Sequence, residues 1–137
     1  MREILFRGKR IDNGEWVEGY YAAEPYMKNT YNCGYILENE KDLFAKKAWL
    51  VDSRTVGQYT GLTDKNGTKI FEGDCFKTYC TGLPVYKHIV GYYPEHFAFM
   101  ARCIEMNTVH YLSDYRPSAI EIIGNIYDNP ELLEATE

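Results

Sequence analysis

Short apolar runs alternate with polar turn residues along this chain, and the first of them predicts a β-hairpin. Residues 4–10 mix apolar and basic side chains at the two-residue period of extended backbone. Asn13 and Gly14 follow, a pair that tolerates the positive φ angles of a tight hairpin turn. Residues 16–21 form the returning strand, in which Gly19 indicates a bulge or a close approach of another backbone segment.

The same spacing continues along the chain and predicts a mainly β fold. We expect further strands at residues 35–37, 48–51, 56–60, 70–71, 75–79, 85–93, 97–102, 109–112 and 120–127. Residues 22–34 are predicted as a loop, residues 39–47 as a loop or one helical turn, and Asp52-Ser53 as a turn. Short strands with frequent turns are typical of a sandwich or small barrel. We divide the chain into an N-terminal β lobe at residues 1–55 and a barrel-like lobe at 56–137, or treat both as one continuous domain.

The end of the chain predicts a short C-terminal helix. Asn129 is a favourable helix N-cap residue, and Pro130 suits the first helical position. Glu131 falls in the first turn, where the helix dipole favours a negative charge. A helical turn is therefore expected after the last strand.

A block in the middle of the chain is rich in residues that special backbone geometry requires. Asp64, Asn66 and Gly67 match the needs of a tight turn. Gly73 and Asp74 fit a strand entry, where a short acidic side chain accepts backbone hydrogen bonds. We predict structural turn roles for these five residues, as for Asn13 and Gly14.

Composition narrows the class of protein. The chain has 137 residues, a net charge of −5 and 13 tyrosines, a residue that suits half-buried strand positions. No apolar run approaches the length of a membrane span, and the first ten residues do not resemble a signal peptide. The four cysteines form no C-x-x-C pair, so we expect reduced, structural thiols in a cytoplasmic protein with no cofactor.

The central block contains acidic residues that two kinds of metal site, a calcium-binding loop and a metal-dependent nuclease site, would require. The segment from Asp64 resembles the start of a calcium-binding EF-hand loop, but its glycine falls at loop position 4 rather than 6, and Cys75 stands where the final glutamate belongs. Asp64, Glu72 and Asp74 form a local acidic set that a nuclease could use. Asp74 and Lys77 are three residues apart, so a regular strand would point them to opposite faces. The turn interpretation is preferred over both activities.

Zinc binding and thiol catalysis receive less support still. Their candidate residues are Cys75, Cys80, His88, His96, Cys103 and His110. No pair has the tight spacing with which two ligands hold one zinc ion, and no glycine-framed nucleophile turn occurs. We interpret the cysteines as buried, small apolar residues instead.

Two classes of macromolecular partner remain. Arg2, Arg7, Lys9 and Arg10 form a basic start, and small barrels with exposed aromatics can bind single-stranded nucleic acid by stacking. The chain is acidic overall, which makes nucleic acid the less favoured partner. Tyrosines and open sheet edges favour protein interaction, either self-association or binding to another protein. No membrane partner is expected.

Three blocks of sequence resemble the YopX family of phage and prophage proteins. They are Arg2-Glu3-Ile4 … Phe6-Arg7-Gly8-Lys9 … Trp16 … Gly19-Tyr20, then Thr55 to Leu62 with Asp64 to Gly67, Ile70 and Glu72 to Asp74, and finally Ile122 to Leu133. The resemblance implies an SH3-like barrel in the C-terminal half and carriage on a phage or prophage. It carries over no catalytic residue, and the segment from Cys75 to Cys80 departs from the family pattern.

The favoured interpretation is thus a non-enzymatic interaction or oligomerisation module. Gln58 and Tyr59 are the residues of the central block that backbone geometry does not demand. The full set of predicted contact residues is Gln58, Tyr59, Trp16, Tyr20 and Tyr127.

Overall fold

The computed structural model describes residues 3–23, 32–38, 47–79, 82 and 84–134. Within them ten strands form two antiparallel five-stranded sheets, so the predicted mainly β fold is confirmed. The strands are β1 Phe6–Arg10, β2 Trp16–Ala23, β3 Cys33–Leu37, β4 Ala48–Thr63, β5 Lys69–Phe71, β6 Asp74–Thr78, β7 Lys87–Tyr93, β8 Ala98–Cys103, β9 Val109–Tyr111 and β10 Ile120–Asn125. Most of the two loops predicted at 22–34 and 39–47 lies outside the described residues.

The chain divides into two compact units, one of residues 1–59 and one of residues 60–137, whereas the sequence pattern predicts a division after residue 55. Strand β4 crosses this division, because it runs from Ala48 to Thr63. None of the helical segments in the described part of the chain has the length and apolar character needed to cross a bilayer.

The first unit is built on the predicted hairpin. Strands β1 and β2 pair antiparallel around a turn in which Gly14 has a φ of 73° and donates its N–H to Arg10 O at 3.0 Å. Pairing continues from β2 to β3 and β4, and β4 pairs back onto β1. The predicted close approach at Gly19 is present, since a Cβ built there would lie 2.1 Å from Leu37 O. A glycine is therefore required where β2 meets β3.

The turn predicted at Asp52-Ser53 is wrong, because both residues lie inside the 16-residue strand β4. The pairing of β4 with β1 shifts between Arg7 and Lys9, which marks a bulge. Thr55 organises that bulge: its Oγ1 accepts the Lys9 N–H at 2.9 Å and donates to Asp52 O at 2.6 Å. The extra residues are absorbed by the bulge, so the strand bends without ending.

The second unit contains a sheet with the order β10-β6-β7-β8-β9. One apolar core is formed by Ile70, Phe76, Val90, Ala101, Leu112 and Ile120. After β10 the chain forms a single 3₁₀ turn at Pro130–Leu133. Asn129 occupies its N-cap position but makes no capping hydrogen bond, and its Oδ1 instead accepts the Asn125 N–H at 3.2 Å. The asparagine thereby fixes the end of β10 instead of capping the turn.

Candidate functional site

Asp64 lies at the turn between β4 and β5 and is 4 % exposed. Its Oδ1 accepts the N–H groups of Asn66 and Thr68 at 2.9 and 3.0 Å. Its Oδ2 accepts the Ile122 N–H of β10 at 3.1 Å. Burial acts to raise the pKa of this carboxyl, but the three backbone N–H groups outweigh it and the pKa is lowered. Both oxygens of Asp64 are thus used to hold backbone, as its predicted turn role requires.

Asp74 and Gly73 also hold the fold together. Asp74 is 2 % exposed, and its Oδ2 accepts the Phe71 N–H at 2.8 Å. Gly73 has a φ of 89°, donates its N–H to Val90 O and accepts the Ile126 N–H. Two of the three carboxylates in the predicted acidic set, those of Asp64 and Asp74, are consequently engaged with backbone. Within the described residues, no group of three or more His, Cys, Asp or Glu side chains could hold a metal ion.

The thiols of Cys33, Cys75 and Cys103 are buried and form no disulfide, whereas Cys80 lies outside the described residues. Burial and the nearby Asp74 carboxylate raise the pKa of Cys75 to about 11. A thiol with so high a pKa is almost entirely protonated at neutral pH and is therefore a poor nucleophile.

His88 on β7 is the buried histidine of the second unit, at 5 % exposure. Its ring stacks on Phe76 at 4.8 Å between centroids, and the Tyr115 ring meets its edge at 5.3 Å. Neither of its ring nitrogens has a hydrogen-bond partner among the described residues. Cys103 is its cross-strand neighbour, but the Cys103 thiol lies 3.9 Å from Glu105 Oε2 instead. The pair therefore lacks the hydrogen bond that thiol catalysis requires.

The basic start of the chain is accompanied by acidic neighbours. Arg7 and Lys9 lie over the Trp16 ring, at 4.7 and 5.7 Å from its centroid. In the strand register Glu18 stands opposite Arg7, and Asp52 stands opposite Lys9. These carboxylates reduce the positive potential that nucleic-acid binding would need.

The predicted contact residues are distributed over both units. Trp16, Tyr20 and Gln58 are half-buried in the first unit, and Tyr127 is half-buried in the second. Tyr59 is only 8 % exposed and lies in the core. Contact of these residues with a partner stays a prediction.

A different feature, which the sequence pattern did not predict, lies at the reversal between β7 and β8. Phe97 is 86 % exposed and has left-handed backbone, with a φ of 51° and a ψ of 37°. Its N–H donates to Pro94 O and closes the 3₁₀ turn Pro94–His96. Glycine or asparagine ordinarily fills such a position, and a bulky residue there is uncommon. The available signal was an aromatic residue three positions after a proline, between two strands.

Further aromatic side chains lie on the turn that precedes Phe97 and on strands β7, β8 and β9. The ring of His96 meets Tyr111 of β9 edge to face at 6.1 Å, and Tyr92 packs in the same manner on Phe99 at 5.4 Å. We call Tyr92, His96, Phe97, Val109 and Tyr111 the exposed aromatic surface; each of them is exposed to solvent.

The two edges of the second sheet differ in how they are covered. At one edge, the β10 backbone is bonded by Lys65, whose N–H donates to Ile120 O, and by the Asp64 carboxylate. At the other edge, all three residues of β9 are exposed. An exposed edge strand offers backbone groups for pairing with another chain. The exposed aromatic surface therefore combines apolar side chains with a strand able to pair.

Fold and surface together define a mainly β protein in which the Asp64 and Asp74 carboxylates hold backbone and the exposed aromatic surface includes the edge strand β9. The chain belongs to the YopX protein family, whose model matches residues 5–134, and the predicted resemblance is confirmed. It is also similar to the crystal structure of protein EF1440 from Enterococcus faecalis, with 23 % identity over 98 % of this chain and 100 % of that one and a TM-score of 0.57. At that identity the likeness concerns the fold alone. No curated protein matches the chain.

Proposed function

We propose that this protein is a non-enzymatic interaction module that self-associates through its exposed aromatic surface. The observation that carries the proposal is Phe97, a large apolar side chain 86 % exposed on left-handed backbone. Left-handed backbone costs a residue with a Cβ roughly 1 kcal/mol, and an exposed phenylalanine reduces solubility. Neither effect benefits an isolated chain, so a role in binding accounts for the residue best.

A second copy of the chain is the partner that β9 suits. Antiparallel pairing of two β9 strands about a two-fold axis at His110 sets Val109 of one copy opposite Tyr111 of the other, twice. Aromatic and β-branched side chains form favourable cross-strand pairs. Three residues of strand pairing bury far less than the roughly 1,200 Å² of a standard interface. Phe97 and Tyr92 would therefore have to supply most of the buried apolar area.

Association is tested by light scattering after size-exclusion chromatography across the micromolar range. We expect the wild type to dimerise and Phe97→Asn to weaken the dimer by about tenfold or more, because interface aromatics dominate binding energy. Asparagine tolerates left-handed backbone, so the fold is kept. The matched control is Ile11→Asn, an exposed apolar residue in the first unit at 51 % exposure, which should leave association unchanged.

A wild type that stays monomeric throughout, or a Phe97→Asn variant that associates as tightly, would contradict the proposal. A host or phage protein is then the remaining class of protein partner. A gel shift with single-stranded DNA or RNA at low salt tests the nucleic-acid alternative, whose binding should fall steeply with added salt.

The finer features implied by the family belong to the same proposal. We infer that the second unit contains an SH3-like barrel, supported by the bonds from Asp64 and Lys65 that join the β4–β5 turn to β10. Family membership supports carriage on a phage or prophage, and the buried, unbridged cysteines support a reducing cytoplasm. The absence of enzymatic activity is supported by the engagement of Asp64 and Asp74 with backbone.

A further inference from the structure

We propose that His88 makes the second unit an acid-sensitive element, in which protonation of the buried imidazole forces the strands around it to open. The ring lies between Phe76 of β6 and Tyr115, and neither of its nitrogens has a hydrogen-bond partner among the described residues. A neutral imidazole ring can be buried between these apolar rings at a moderate cost in free energy. An imidazolium, with two N–H donors and a full charge, cannot.

The titratable groups that face His88 do not provide a partner for that charge. The negative charge of Glu105 favours the charged form of His88. However, Glu105 Oε2 already accepts the Lys87 N–H at 3.0 Å and lies 3.9 Å from the Cys103 thiol. The charge interaction with His110 of β9 is repulsive and disfavours the charged form of His88. Tyr115 is neutral at neutral pH, because burial raises its pKa above an ordinary value that is already high. Water is thus the available partner for the imidazolium, and water reaches it only if β7 separates from its neighbours.

The direction of the effect follows from proton linkage. Burial is the largest cause that lowers the pKa of His88 from its ordinary value of 6.5. Between that value and the lower folded pKa, the unfolded chain binds more protons than the folded one. Stability is therefore complete above pH 6.5 and falls as the pH drops below it. One such group changes the unfolding equilibrium constant by at most about tenfold per pH unit.

Urea unfolding between pH 5 and pH 8 tests the proposal in the wild type and in His88→Phe, which keeps the aromatic stacking and removes the proton site. We expect the ratio of the two unfolding constants to grow toward about tenfold per pH unit below pH 6.5. Ile11→Asn, an exposed substitution in the first unit that leaves every histidine in place, is the control and should follow the wild type. Parallel curves for wild type and His88→Phe would overturn the proposal.

A measurement on the wild type alone keeps the test valid if His88→Phe does not fold. In the folded protein, the NMR signal of the His88 ring should not titrate near pH 6.5, because burial lowers its pKa below that value. Amide hydrogen exchange in β7 should accelerate at pH 5.5 beyond its intrinsic pH dependence, as local opening requires. Ordinary titration of His88 in the folded state would overturn the proposal.

Discussion

Replacing Asp64 with alanine is expected to lower the free energy of unfolding by about 3 to 5 kcal/mol, measured by urea denaturation at pH 7. The substitution leaves the N–H groups of Asn66, Thr68 and Ile122 without their acceptor. Two of these bonds fix the turn, and the third joins it to β10. The variant should therefore lose the turn and the cover of the β10 edge together.

The control for this prediction is Asp114→Ala. Asp114 lies on the surface of the second unit, so its removal should change stability by no more than about 0.5 kcal/mol. A cost of Asp64→Ala below about 1 kcal/mol would show that the three hydrogen bonds contribute little, contrary to the assignment.

Asp64→Asn separates the charge from the geometry. Because the folded pKa of Asp64 is below its ordinary value of 3.8, its stabilising effect is present above that pH and disappears as the pH falls through the folded value. The asparagine variant should be less stable than the wild type at pH 7. Its stability should also depend less on pH below about 4, which an acid titration followed by circular dichroism would measure.

Local turn chemistry was readable from the sequence, but its long-range consequences were not. Gly67 indicates the turn because few other residues tolerate its φ of 78°, and Asn66 is a residue type common in turns. The bond from Asp64 to Ile122 joins residues 58 positions apart, and no local pattern specifies that contact. It became visible only with the strand register of the second sheet.

The length of β4 was missed for a related reason. Asp52 and Ser53 are turn-forming residues by local preference, and such preferences predict an end to the strand. Pairing with β1 overrides them, because Thr55 bonds both Lys9 and Asp52 and stabilises a bulge. The bulge depends on a partner strand more than 40 residues away, as the separation of 46 between Lys9 and Thr55 shows.

The exposed aromatic surface also could not be predicted from the sequence. Phe97 was expected as the first residue of a strand. Its left-handed backbone arises from the turn begun at Pro94, and its exposure arises from the position of that turn at the end of β7. Tyr59 was chosen as a contact residue because backbone geometry does not demand it, but it is a core residue. Composition cannot distinguish an exposed aromatic from a buried one.

Gly19→Ala is expected to destabilise the first unit by about 3 kcal/mol or more. The added Cβ would lie 2.1 Å from Leu37 O and 3.0 Å from Ile36 Cγ2, and the nearer atom is backbone that cannot rotate away. Strands β2 and β3 would have to move apart along the register that pairs Tyr20 with Leu37. Both tryptophans of the chain, Trp16 and Trp49, belong to this unit, so intrinsic fluorescence during urea unfolding reports on it directly.

Gly14→Ala is the matched control for Gly19→Ala, since a Cβ at Gly14 meets no atom within 4 Å and only its φ of 73° is unfavourable. Its cost should be about 1 kcal/mol. The difference between the two variants isolates the steric contact from the general loss of glycine. If Gly19→Ala cost no more than Gly14→Ala, then β2 and β3 could separate freely at this point. Because the Cβ would meet a carbonyl of the neighbouring strand, we expect the larger loss.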